Sequence, residues 1–326
     1  MNPSFVNNLF VLNAASFNAA ALEIFHWQLA NNAVYQTFCR VTGREASQPA
    51  SPGEIPFLPI SFFKTHKVTS GSFNPEAVFE SSGTSQTIQS RHIVKSLSLY
   101  EQSFCKAFEL NYGTPENWCI LGLLPSYLER KHSSLVYMVK RLMDISQHPA
   151  NGFYLNEWGK LADTLRILET NGQPTILFGV TFGLLDFAEQ YQFNCLNTAI
   201  IETGGMKGRR EELTREEVHL QLKAGFGVNV IHSEYGMTEL LSQVYSKADG
   251  VFRCPPWMKV FVRDEDDPQC IRSKGRGAIN IIDLANIYSC SFIATDDVGE
   301  VYDDGSFRVL GRIDNCDVRG CSLLAL

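Results

Sequence analysis

The sequence has no run of about 18 consecutive uncharged apolar residues, the length a helix needs to cross a bilayer, so no membrane span is expected. It has no Cys-x-x-Cys pair either. Its nine cysteines stand singly at positions 39, 105, 119, 195, 254, 270, 290, 316 and 321. An odd, scattered set disfavours a disulfide scaffold and a zinc knuckle, and it fits a cytoplasmic protein with reduced thiols. Positive charge is in deficit: 28 Lys and Arg stand against 35 Asp and Glu, a net charge of −7. A broad nucleic-acid surface is thereby excluded, because phosphate contacts need a basic face. Met1-Asn2-Pro3-Ser4-Phe5 places no basic segment ahead of an apolar one, so no signal peptide is read. Internal repeats and low-complexity tracts are absent.

What is present is a globular chain of 326 residues, 44 % hydrophobic and 19 % charged, with 22 phenylalanines. Apolar spacing predicts a helix over residues 16–41, capped by Ser16 and ended by Gly43. A proline-rich loop follows. Helices are then expected over 97–110, 134–143, 184–191 and 214–224, and strands over 118–124, 175–179, 198–201 and 228–231. Strands alternating with helices point to βαβ units and a largely parallel sheet. After about residue 250 the texture changes to short apolar runs at 259–262, 277–282, 291–294, 299–302 and 307–310, separated by turn signals. The expected organisation is an α/β body over 1–250 and a small antiparallel β subdomain with a tail over 251–326.

Four segments carry chemistry. Glu80-Ser81-Ser82-Gly83-Thr84-Ser85-Gln86 packs hydroxyls and a glycine into one loop. Backbone N–H groups and hydroxyls there can ring an oxyanion, although the Gly-Lys-Ser/Thr ending of a Walker A loop is missing. Ser233-Glu234-Tyr235-Gly236-Met237-Thr238-Glu239 directly follows the expected strand ending at Ile231, and strand ends are where α/β sheets bind ligands. Tyr235 offers a flat face, Thr238 a hydroxyl, and Glu239 a hard oxygen ligand suited to Mg2+. Thr295-Asp296-Asp297-Val298-Gly299 and Gly311-Arg312-Ile313-Asp314 supply a carboxylate and a guanidinium, which can hold ribose hydroxyls and phosphate. Read singly, the third segment is a β-turn and the fourth a loop.

In this order the four segments resemble the adenylate-forming enzymes, the acyl-CoA synthetases and their relatives. A narrower likeness lies in Leu124-Pro125-Ser126-Tyr127-Leu128-Glu129-Arg130, Gly205-Met206-Lys207-Gly208-Arg209-Arg210 and Val318-Arg319-Gly320-Cys321-Ser322, which resemble the acyl-protein synthetases of the LuxE type. The resemblance implies the N-terminal-domain fold of adenylate-forming enzymes: a largely parallel sheet with flanking helices plus the antiparallel subdomain. The chain stops six residues after Gly320. The mobile C-terminal domain of ordinary acyl-CoA synthetases, with its catalytic lysine, is therefore expected to be missing. Gln86 stands where most adenylating enzymes carry Gly, and Arg91-His92 follow.

The resemblance also implies the site. ATP and Mg2+ are the expected cofactors. Ser81, Ser82, Gly83, Thr84, Ser85, Gly205, Tyr235, Gly236, Thr238, Asp297 and Arg312 would bind the nucleotide, and Glu239 the metal. Thr238, Glu239 and Cys321 would be catalytic, with Cys316 a weaker candidate thiol. The implied activity makes acyl-AMP from a carboxylic, fatty, acid. The acyl group then passes to a thiol for delivery to a partner reductase or another acceptor protein. Two rivals stay open: an aryl- or acyl-CoA ligase that uses CoA or a carrier-protein thiol, and a non-catalytic adenylate-binding subunit of a reductase complex. Phe178, Phe182, Phe187 and Tyr191 suit an acyl pocket and a core equally well.

Overall fold

A computed structural model describes residue 6 and residues 8–45, 48–81, 88–124, 130–204, 213–264 and 267–313. Its strands are β1 (Leu58–Pro59), β2 (Ala77–Glu80), β3 (Arg91–Val94), β4 (Cys119–Leu123), β5 (Gly152–Phe153), β6 (Thr175–Gly179) and β7 (Thr198–Glu202). They continue as β8 (His232–Tyr235), β9 (Val244–Ser246), β10 (Met258–Arg263), β11 (Ile271–Arg272), β12 (Gly275–Asp283), β13 (Phe292–Val301) and β14 (Phe307–Arg312).

One sheet has the order β5-β4-β6-β7-β8-β9, parallel except for β9. Strands buried on both faces read as unbroken apolar runs, and all five residues of β4 and of β6 are buried. Alternation along those strands sends side chains into two cores. Cys119, Leu121, Leu123, Leu177 and Ile200 pack under the helices Trp158–Thr170, Thr181–Gln190 and Arg215–Phe226. Ile120, Ile176, Phe178 and Ile201 face the helices Leu97–Tyr112 and Ser134–Ser146 in a larger core. Phe178 and Phe187 thus lie on opposite sides of the sheet and line no common pocket.

The second sheet runs β1-β13-β12-β10-β11, with β14 also on β13. It is antiparallel apart from the β1–β13 pair. The amino-terminal helix Ala14–Asn31 packs on it through buried Gln28, whose amide nitrogen donates to the carbonyls of Asn286 (3.1 Å) and Ile287 (2.9 Å) while its oxygen accepts from the Ser291 N–H at 3.0 Å. Residues far apart in sequence therefore share the larger core.

Several elements differ from the sequence reading. The helix expected over 16–41 is two helices, Ala14–Asn31 and Ala33–Val41, because the Asn32 side chain accepts from the Tyr35 N–H at 3.0 Å and starts a new helix. Asn13, with Ser16 as its capping-box partner, caps the first. Residues 228–231 are not a strand. The helix before them ends at Phe226, and β8 begins at His232, where Ile201 of β7 supplies the pairing partner. The runs 291–294 and 299–302 lie, but for Ser291 and Tyr302, in one ten-residue strand, β13.

Asp283, at the end of β12, fastens this architecture. Its buried carboxylate accepts from the N–H groups of Leu241 (2.9 Å), Ser242 (3.0 Å) and Ala285 (3.0 Å) and from the Ser242 hydroxyl (2.6 Å). Asp283→Ala leaves three buried N–H groups without acceptors. It should cost about 3 kcal/mol of stability, read as a lowered midpoint in urea denaturation.

Candidate functional site

The carboxyl end of β8 meets β13 and β14, and there the second sheet touches the first. Tyr235 is the last residue of β8. Its ring lies 5.8 Å from those of Phe252 and Phe307, and its hydroxyl donates to Asp297 Oδ2 at 2.7 Å. Burial and the Asp297 charge raise the Tyr235 pKa well above the ordinary phenol value. Arg312 Nε donates to Asp297 Oδ1 at 3.1 Å. That pairing follows from register, since Asp297 and Arg312 are opposed in the β13–β14 ladder. Asp297 and Arg312 both lie on strands here, where the sequence read a turn and a loop.

Thr295 sets the position of Asp297. Its hydroxyl donates to the Ile279 carbonyl at 2.9 Å and accepts from the Asp297 N–H at 3.2 Å. Arg263 adds guanidinium bonds to Asn280 Oδ1 (2.7 Å) and to the Thr295 carbonyl (2.6 Å). Gly299 sits at the irregular register of β13 and β14. A β-carbon there would stand 2.5 Å from the Arg308 carbonyl oxygen and 2.6 Å from Ile279, so only glycine lets the strands close.

The loop 236–243 joins β8 to β9 and carries Thr238 and Glu239. It is pinned by side chains. His92, on β3 and buried, bonds through Nδ1 to the Thr238 carbonyl at 2.8 Å. A carbonyl only accepts, so Nδ1 carries the proton. Burial lowers the His92 pKa to about 4, so the ring is neutral at physiological pH. Asn286 Nδ2 donates to the Glu239 carbonyl at 2.7 Å. The Glu239 side chain is buried, and desolvation holds its carboxyl above the usual range. The Ser90 hydroxyl and the charges of Arg312 and Lys64 act in the opposite sense. Ser90 also pairs with Ser81: the Ser81 N–H donates to the Ser90 carbonyl at 3.1 Å, and the Ser90 N–H donates to the Ser81 hydroxyl at 3.0 Å. The neck of the hydroxyl-rich loop therefore reaches Glu239.

Of the residues expected at the site, Tyr235, Asp297 and Arg312 are in direct contact. Glu239 feels Arg312 and, through Ser90, adjoins Ser81; Gly236 and Thr238 share its loop. Ser82, Gly83, Thr84, Ser85, Gly205, Cys316 and Cys321 lie outside the described residues. The sequence reading passed over Thr295, Ser90, Asp283 and Arg263 as positioning groups, and it named His92 without giving it a partner. The available signal was polarity at strand positions that need burial, and it names no partner.

The sequence model of the acyl-protein synthetase LuxE family matches residues 13–325. The chain belongs to this family. No curated protein matches it. Its fold is that of adenylate-forming enzymes, as three solved structures illustrate. ATP-bound MatB from Rhodopseudomonas palustris superposes with a TM-score of 0.55 at 17 % identity, over 83 % of this chain and 52 % of that one. The Bacillus subtilis O-succinylbenzoate coenzyme A synthetase, in complex with ATP and magnesium ion, gives 0.51 at 15 % over 77 % and 55 %. The luciferase-like enzyme of the mealworm Zophobas morio gives 0.51 at 16 % over 77 % and 61 %. The LuxE-family chain thus spans about half the length of MatB.

Within this family fold, Arg312 and Tyr235 should separate in stability tests. The Arg312 side chain is 61 % exposed, so Arg312→Ala should change stability by less than about 0.5 kcal/mol. Tyr235→Phe removes a half-buried donor from Asp297 and should cost about 1 kcal/mol. Chemical denaturation of the two variants side by side checks both values.

Proposed function

We propose that the protein uses ATP to activate a carboxylic acid, of the fatty type, and passes the acyl group to a thiol. A carboxylate oxygen attacks the α-phosphorus of ATP, the bond to pyrophosphate breaks, and acyl-AMP forms. A thiolate then attacks the acyl carbon and AMP leaves, giving a thioester for a partner reductase. The carrying observation is the family match over residues 13–325 together with the meeting of Tyr235, Asp297, Arg312 and Glu239 at one sheet end. In this reading Asp297 and Arg312 hold the ribose, Tyr235 flanks the nucleotide, and the Ser81–Ser85 segment receives phosphates. Glu239 suits Mg2+, which takes one or two carboxylates and completes its shell with phosphates and water. When bound, that ion neutralises charge on the phosphates.

The acceptor that the family resemblance offers is Cys321, and cysteine chemistry narrows its rivals. Burial pushes the thiols of Cys39 and Cys105 up to about 11, and those of Cys119, Cys195, Cys254 and Cys290 up to about 12. Such thiols carry almost no thiolate at neutral pH and make poor nucleophiles. Among the described cysteines that leaves Cys270, which is exposed. The cytoplasm, where thiols stay reduced, is the compartment that fits this chemistry.

Carboxylate-dependent ATP–pyrophosphate exchange over a panel of fatty and aromatic acids tests the first half-reaction. Fatty acids should support exchange, and silence with every acid overturns the reading. Glu239→Gln should lower exchange at limiting Mg2+ by at least about tenfold, because a neutral amide is a poorer ligand for a hard cation. Folding of this variant, followed by thermal melting, should change little. Cys321→Ser should keep exchange and lose the hydroxylamine-sensitive label from radioactive fatty acid. Equal labelling of the mutant would eliminate Cys321 and point to Cys316, Cys270 or an external thiol such as CoA.

A further inference from the structure

β8 sends successive side chains to opposite faces, so Tyr235 faces the site and Glu234 turns the other way. Glu234 is 8 % exposed. The groups around it come from three elements: Tyr100 and Tyr112 from the helix Leu97–Tyr112, Tyr245 opposite it on β9, and Glu202 from β7. The charged group among them is another carboxylate. Close by, the side chain of Gln243 ends in a buried oxygen with no donor among the described residues, while its Nε2 donates to the Tyr100 hydroxyl at 3.4 Å. Tyr100 in turn donates to the Ser134 carbonyl at 3.0 Å. Glu234 and Gln243 converge over Gly236. A β-carbon on Gly236 would lie 2.5 Å from Glu234 Oε1 and 3.6 Å from Gln243 Nε2.

An ionised carboxylate is only an acceptor, so it cannot satisfy an amide oxygen. A carboxylic acid carries the missing proton. We propose that Glu234 is a positioning residue: as a neutral acid it donates its O–H to Gln243 Oε1 and closes the neck of the loop that carries Thr238 and Glu239. The bond ties residue 234 to residue 243, the two ends of that loop. Burial, with the Glu202 charge second, raises the Glu234 pKa to about 8, so the acid is the form present at neutral pH.

The sign of the consequence is fixed by linkage. An unfolded Glu titrates near 4.3, so between about pH 4.3 and about 8 the folded state binds the extra proton. Stability therefore falls as pH rises through this window and levels off above it. Glu234→Gln keeps a neutral donor for Gln243 and removes the titration. Glu234→Ala removes the donor.

The test is thermal denaturation of the intact wild-type, Glu234→Gln and Glu234→Ala proteins from pH 5 to 9, with pyrophosphate exchange over the same range. Wild type should lose melting temperature relative to Glu234→Gln as pH rises to about 8. Its exchange should decline with a midpoint near pH 8, and that limb should vanish in Glu234→Gln. At pH 7, Glu234→Ala should raise the KM for ATP about tenfold, leave the KM for the carboxylic acid unchanged, and be rescued by Gln at the same position. Parallel melting curves for wild type and Glu234→Gln overturn the proposal, as does a shared alkaline limb in exchange. The exchange arm rests on the adenylation reading; the melting arm does not. A lost melting slope with no exchange for any acid would keep the Glu234 assignment and overturn the proposed activity alone.

Discussion

A carboxylate stripped of water must collect its donors from the protein, and Asp283 collects four from two separate segments. One segment is the 3-10 turn Leu284–Asn286 directly after β12, through the Ala285 N–H; the other is residues 241–242, just before β9. Burial alone pushes the carboxyl up to about 6 in spite of these bonds, which measures how strongly desolvation opposes the charge. The neighbours extend the tie. The Ser242 hydroxyl also accepts from Trp257 Nε1 at 2.9 Å and lies 3.0 Å from that of Ser103. The loop bearing Thr238 and Glu239 is therefore moored to the second sheet at one side and to the helix Leu97–Tyr112 at the other. Neither sheet alone could hold it.

From that mooring the rest of the site follows by register. Once β8 is placed beside β7, Tyr235 is carried to the edge where β13 and β14 pass. Pairing of β13 with β14 then puts Arg312 opposite Asp297, with no requirement on either side chain beyond its position in the ladder. Two sheets of different type supply the halves of one polar cluster, and the Tyr235–Asp297 hydrogen bond is where they join. His92 acts on the same loop from the β2–β3 hairpin, which also holds Ser81 and Ser90 at the neck of the hydroxyl-rich segment. All contributors are local in space and distant in sequence.

This distribution explains what the sequence could disclose. The strand Thr175–Gly179 was legible because Ile176, Leu177 and Phe178 run unbroken between Pro174 and Gly179, and burial on both faces leaves Thr175 as its one polar side chain. The run 228–231 has the same texture but is a connection whose Val230 is 41 % exposed; the true strand, His-Ser-Glu-Tyr, hides polar side chains that burial satisfies or neutralises. Periodicity cannot tell these apart. Asp296-Asp297-Val298-Gly299 reads locally as a turn, yet it lies within β13, because Arg312 and the close passage at Gly299 are features of a neighbouring strand. The order of the motifs pointed to the family and to Tyr235, Asp297 and Arg312. The supports beneath them, Thr295, Arg263 and Asp283, are defined by contacts across the fold.

The acidic residues of this region occupy three different electrostatic settings, and the difference has chemical content. Asp297 sits at the rim, where a guanidinium and a phenol hydroxyl meet its two oxygens. Glu239 is buried but reached by the charges of Arg312 and Lys64 and by the Ser90 hydroxyl, so desolvation is partly offset. Glu234 has burial and another carboxylate around it, and its acid form prevails at neutral pH. If this surface accepts the polyanion of the proposed reaction, it cannot tolerate three uncompensated negative charges within one loop's reach. In the proposed reading the fold would meet that constraint by pairing the first, leaving the second for a hard cation to complete, and neutralising the third with a proton.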